Sequence, residues 1–236
     1  MSVTRKELER EITGALRRIA DFKSWSAHAA INNAVTRIAA GIRLPDGRTS
    51  PPLPDLYSTA TIATSTTLAY KALDATYQRN LILVSDSNDD RVPPPKGGDY
   101  YSFNTFLRKA AYKDLSESGE IYMCCVKGSN LYYQGIPSAS VNLLTYFYRK
   151  PVDMSGDDST PDGIPEAFQM DLIKHYTLRE FFADYVGEEY AEKTFADKMM
   201  GKVKIHEKLF FDAMLDMIDF IGEEGEPIYF ATDAEE

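Results

Sequence analysis

The chain has no excess of positive charge. Its 26 Lys and Arg stand against 36 Asp and Glu, a formal net charge of −10. It therefore lacks the basic footprint of a general nucleic-acid binder, though DNA could still pass it without being gripped. Cysteine is scarce. The only two, Cys124 and Cys125, are adjacent, which gives neither a structural staple nor a spaced metal-ligand pattern. With Ile121, Tyr122 and Met123 before them and Val126 after, they read as strand residues, buried as free thiols in a reducing compartment. No apolar run approaches the length of a membrane span. No apolar signal region follows the first residues, so the expectation is neither a membrane nor a secreted protein.

Chemistry is equally thin. The three histidines, His28, His175 and His206, fall in no metal or catalytic motif. His28 and Trp25 read as packing or surface groups. His175 reads as a packed or edge residue of a helix, and His206 with Glu207 as a surface pair. The stretch Pro95-Lys96-Gly97-Gly98-Asp99 has two glycines but not the form of a phosphate loop, and no Gly-x-Ser-x-Gly elbow occurs. Asp153, Asp157, Asp158 and Asp162 cluster around residues 154–163 without the spacing of a calcium loop. The expectation is no catalytic, metal or cofactor-binding residue, and no enzyme.

What is present is enough apolar matter for a core, 44% of 236 residues, arranged in two different periods. Thr4 and Glu7 make a capping box. Leu8, Ile12, Leu16 and Ile19 then recur at helical spacing, as do Ala27, Ile31, Val35 and Ile38 before Gly41. A proline-rich loop follows. Residues 56–68 and 77–84 favour strands, the polar, proline-bearing residues 85–98 read as a loop, and 103–115 as a short helix with Phe106, Leu107, Ala110 and Ala111 as its apolar set. From Pro165 the helical period returns through Phe168, Leu172, Tyr176, Leu178 and Phe182 up to Gly187. A long helix, with a possible kink at Gly201, then carries Ala191, Phe195, Met199, Val203, Leu209, Met214, Met217 and Phe220. The expected fold class is α+β: a helical bundle interrupted by a β-rich insertion, sandwich-like or a meander, with a long C-terminal helix. The expected divisions are 1–43 for the first helices, 44–163 for the insertion, 164–221 for the returning helices and 222–236 for an acidic tail.

The stretch 128–151 is the densest in β-formers. Residues 121–126 and 131–134 read as two strands of a hairpin about a turn at Gly128, which Gly135-Ile136-Pro137 ends. Residues 141–149 make a further strand. Val141, Leu143, Thr145 and Phe147 share one face, Leu144, Tyr146 and Tyr148 the other. Two apolar faces mean a core on one side and helices or a partner on the other. Fifteen Tyr and twelve Phe supply large, rigid contact area with a polar handle, of the kind enriched at protein interfaces. Tyr132, Tyr133, Tyr146 and Tyr148 are the candidate interface residues. Stacking on single-stranded nucleic acid would need interleaved basic residues, and only Lys127, Arg149 and Lys150 are near.

Three pieces carry a family resemblance: Leu53-Pro54-Asp55-Leu56-Tyr57 leading into the β-rich part, the hairpin and Tyr-rich strand of 128–151, and Gly163-Ile164-Pro165-Glu166-Ala167-Phe168 opening a helix. In this layout the chain resembles the head-to-tail adaptor proteins of tailed bacteriophages, especially the tail tubular adaptors of short-tailed phages. The resemblance implies a virion structural protein of the neck, assembled in the host cytoplasm. It implies a homo-oligomeric ring, commonly of twelve subunits, between the portal and the tail nozzle or tube, with DNA crossing its channel and no catalysis. Competing readings are another neck or tail-completion protein, an enzyme with an unrecognised site around His175 or His206, and a single-stranded nucleic-acid module.

Overall fold

The computed structural model describes residues 2–16, 26–109, 115–186 and 193–224. Trp25, Ile19, Ala110, Ala111, Gly187, Ala191 and the tail beyond 224 lie outside the described residues, as do the side-chain surroundings of Phe195. The class is mixed α+β, with a long C-terminal helix. Among the described residues the chain forms two compact units: those up to Leu56 with Pro151–Glu224, and Tyr57–Lys150.

The first unit is helical: α1 (Arg5–Leu16), α2 (Ala27–Ala40), α4 (Gln169–Val186) and α5 (Lys193–Glu224). Helix α4 touches the other three. The capping box forms at α1, where Thr4 N and Oγ1 both donate to Glu7 Oε2, at 2.9 and 3.0 Å. Leu8, Ile12 and Leu16 are fully buried. Helix α2 is capped by Ser26, whose Oγ accepts from Ala29 N at 3.3 Å, and it ends where Gly41 N donates to Ile38 O. Ser26→Ala should cost about 1 kcal/mol, read as a lower midpoint in urea at unchanged slope; an unchanged midpoint would show that solvent caps this helix equally well.

The acidic loop before α4 is a strap across the first unit. Ser159 O and Asp157 O accept from Arg5 N and Lys6 N, and the Asp157 carboxylate pairs with the Arg5 guanidinium. Asp162 accepts from Val152 N at 2.7 Å. His28 Nε2 donates to Met154 O at 2.7 Å, and Asn32 Oδ1 accepts from Met154 N at 3.0 Å. These aspartates serve helix α1 and their own loop, and Met154 is buried beneath them.

Helix α5 runs through Gly201 as one helix. Its buried line is Met199, Phe210, Met214 and Met217. Leu209, expected on that face, is 41% exposed. The reason is register: from Met199, steps of 3.6 residues pass through His206 and reach Phe210. His206 itself is half-buried against His175 of α4, which corrects its reading as a surface pair with Glu207.

The second unit stacks two three-stranded antiparallel sheets. One has β6 (Asn142–Arg149) between β1 (Tyr57–Ala63) and β3 (Tyr77–Ser85). The other has β5 (Asn130–Gln134) between β2 (Tyr70–Ala72) and β4 (Met123–Lys127). Both inner faces feed one core, including Ile62, Val84, Cys124, Val126, Leu131, Tyr133, Leu143 and Phe147. The hairpin β4–β5 turns through Gly128 at φ 62°, a conformation glycine takes without penalty. Strand β6 is the centre of the other sheet, which is why both its faces are apolar or aromatic.

The period of two splits the vicinal cysteines. Cys124 enters the inter-sheet core, while Cys125, with Met123, meets Phe106 of helix α3 (Phe103–Lys109) on the opposite face. Both are free and buried, and burial raises both thiols, Cys125 to about 11 and Cys124 well above its ordinary value. Strand β3 is bulged between its contacts with β6, and side chains from the next turn bind its amides. Tyr101 Oη accepts from Leu81 N at 2.5 Å, and Tyr100 Oη accepts from Val84 N at 3.2 Å while donating to Val92 O. Tyr100 also reaches the other sheet, its backbone O accepting from Val126 N of β4 at 2.6 Å.

Candidate functional site

The aromatic side chains of the β unit sort onto three surfaces by strand alternation and pairing. In β6, Leu143, Thr145 and Phe147 point into the core and are at most 1% exposed, whereas Leu144, Tyr146 and Tyr148 are half-buried on the outer face. Strand β1 adds a ring to that outer face, because Tyr57 lies opposite Tyr148 and Thr59 opposite Tyr146. The Tyr57 ring sits 6.4 Å from that of Tyr146 and 6.2 Å, edge-on, from that of Tyr148. On the other side of Tyr148 the register partner is Arg79 of β3. The row Tyr57, Tyr148, Arg79 thus crosses the whole sheet, and Tyr57 remains 42% exposed. Burial raises the hydroxyl pKa of Tyr57 and Tyr148, with the neighbouring tyrosines adding to the first and Arg79 opposing the second. The Tyr57 and Tyr148 phenols are therefore neutral donors at physiological pH.

Tyr132 lies on the outer face of the second sheet, beside α3. Its ring is 5.3 Å from Tyr70 and 5.1 Å, edge-on, from Phe103, and the Lys127 ammonium lies 4.3 Å from the Phe103 ring centre. Tyr70 is 39% exposed, so this cluster also reaches solvent. Tyr133 points the other way. It is fully buried, and its hydroxyl accepts from Ser65 N at 2.7 Å and donates to Leu68 O at 2.8 Å. It fixes the 65–68 turn from within. The four tyrosines therefore occupy three different places, and the structure brings only Tyr146 and Tyr148 together. Tyr57 and Tyr70 complete the two outer clusters and were not singled out as contact residues. Only strand pairing across the length of the insert joins them to their partners.

The chemistry of other grooves is sparse. An open groove of about 750 Å³ runs between the Asp86–Asp90 turn and Gly119–Ile121, over Val92, Val141 and Leu143. Its Asp86 carboxylate is engaged by Asn88 N and Asp90 N, and no histidine, cysteine or lysine lines it. Among the described residues no group of three His, Cys, Asp or Glu could hold a metal ion, and no helix is long and apolar enough to cross a membrane.

What the unit offers is two partly exposed aromatic clusters on the outer faces of a sandwich. No curated protein matches the chain. A family model does, described as SU10 adaptor protein, over residues 6–219, so both units fall within the match. The chain belongs to that family of phage head-to-tail adaptors.

Proposed function

We propose that the chain forms a ring in the virion neck, docked between the portal and the tail nozzle or tube, through which the genome passes at assembly and ejection. The observation that carries this reading is the aromatic row Tyr57, Tyr146 and Tyr148 on the outer face of a sheet whose inner face is already packed. A closed ring needs two different complementary faces on each subunit. The Tyr57 row supplies one candidate and the Tyr70, Tyr132, Phe103 cluster a second. Tyr133 takes part by holding the turn at the edge of that second cluster. Twelve subunits is the count implied by the adaptor likeness. The net charge of −10 fits a channel that lets DNA slide, a point that a basic or neutral lining in an imaged particle would refute. Assembly takes place in the host cytoplasm, and the role is structural.

The double substitution Tyr146→Ala, Tyr148→Ala should abolish ring formation with or without portal while the isolated chain keeps its circular-dichroism spectrum and melts within a few degrees of wild type. Electron microscopy with a mass measurement reads symmetry, position and stoichiometry together. Rings formed at wild-type concentration, or substitutions that only unfold the chain, would sink the interface assignment. A position elsewhere in the particle would favour a tail-completion role.

A further inference from the structure

The closest approach of two imidazoles in the molecule joins helices α4 and α5. His175 Nδ1 and His206 Nδ1 are 2.9 Å apart, and the ring centroids 5.2 Å. That centroid spacing is the nitrogen contact plus the reach of each ring from centre to nitrogen, so the two nitrogens point at each other head-on. Such a contact holds one proton: one nitrogen donates and the other accepts. A neutral pair satisfies it, and so does a pair carrying a single positive charge. A doubly charged pair would put two hydrogens in the same gap.

The surroundings keep the rings in place and resist charge. Phe182 of α4 stacks on His206 at 5.6 Å with an interplanar angle of 14°, and the Lys202 ammonium of α5 lies 4.8 Å from the Phe182 ring centre. Lys174 of α4 bears on both histidines, Lys202 bears on His206, and Asp171 of α4 favours charge on His175. From α1, Glu11 pairs with Lys174 at 3.3 Å. From α2, Arg37 bears on Tyr176, the neighbour of His175, alongside Arg179 and Glu180 of α4. Burial comes first among the causes that hold His175 below its ordinary value, and burial followed by His175 lowers His206 to about 4.

We propose that the His175–His206 contact is a one-proton latch between α4 and α5, closed while at least one ring is neutral and opened when both are charged. Because the folded values lie below the unfolded ones, the latch contributes fully above the ordinary histidine range. It is lost as pH falls from about 6.5 towards about 4. The two steps belong to the pair. The consequence is a helical hairpin that loosens in acid at one defined place, the contact of α4 with α5 at His206.

The test is nitrogen-15 NMR of the imidazoles of the full chain from neutral pH to about pH 3, with amide hydrogen exchange of α4 and α5 over the same range. Expected are opposite tautomers at neutral pH, two titration steps at least about one pH unit apart, and an exchange increase of about tenfold or more with the second step. His206→Asn keeps a hydrogen-bonding group at the Nδ1 position without a titrating proton, and it should remove the acid step in exchange. His28→Asn should leave that step in place. Independent titration of the two rings, or an acid step that survives in His206→Asn, would overturn the latch. Should His206→Asn fail to fold, His175→Asn provides the same comparison with the same expected and overturning results.

Discussion

Gly135→Ala is expected to unfold the β unit, or to weaken it by on the order of 3–5 kcal/mol. Gly135 has φ +88°, and a Cβ there would lie 2.0 Å from Glu120 O and 2.7 Å from Glu120 C. Those are backbone atoms, so no side-chain rotation relieves the clash. The backbone there is also pinned, since Gly119 N donates to Ile136 O and Ile136 N to Glu117 O, both at 2.9 Å, while Tyr122 N donates to Gln134 O at 3.2 Å. Moving Glu120 would strain these bonds, each worth about 1 kcal/mol, in addition to about 1–2 kcal/mol for a side chain in left-handed backbone. Gly128→Ala is the control. Its φ is +62° but nothing lies within 4 Å of the added Cβ, so only the backbone cost of about 1–2 kcal/mol applies. Urea denaturation followed by near-ultraviolet circular dichroism of the tyrosines would compare them. Equal losses at the two positions would show that the close approach at Glu120 is easily relieved.

Phe210→Ala should cost about 3–5 kcal/mol in the helical unit. The side chain is fully buried, meets Tyr176 edge-on at 5.4 Å, and lies under the Arg179 guanidinium, which is 5.5 Å from its ring centre and 4.7 Å from that of Tyr176. Removing the ring leaves a cavity where α5 crosses α4 and strips one face from the cation. Leu209→Ala, one residue away but 41% exposed, should stay within about 0.5 kcal/mol. Because the chain has two units, the loss is best read from amide exchange within α4 and α5, which isolates the helices from the sandwich. Comparable losses at 209 and 210 would mean that the buried line of α5 runs elsewhere.

The contrast between those two neighbours shows where sequence reading stops. Local signals were legible: the Thr4–Glu7 box, the Gly128 hairpin and the two-faced β6 each depend on residues close in the chain, and the structure has all three. Along α5 an apolar pattern passes over His206, although it holds the place in the period that leads to Phe210. Its partner His175 stands on another helix, and no periodicity joins two helices. Strand β2 was invisible for a related reason. Its three residues are exposed and owe their form to pairing with β5, not to an apolar pattern. The aromatic row was half legible. Tyr146 and Tyr148 follow from alternation within β6, whereas Tyr57 joins them only through a strand pairing that spans the whole insert. The strap made by Asp157 on Arg5 likewise links the two chain segments of the helical unit, 152 residues apart. Its Asp157 is met by Arg5 and Lys6 in the first turn of α1.

Tyr57 and Tyr148 are register partners on neighbouring antiparallel strands, so the chain enters the β unit beside the place where it leaves, about 5 Å away. A segment closed at its base in this way behaves like a cassette. It can be lengthened, exchanged for a homologue's or removed behind a short bridge without drawing on the backbone of the helices that flank it. Descent can then act on the two parts at different speeds, changing the β unit while the helical frame stays as it was.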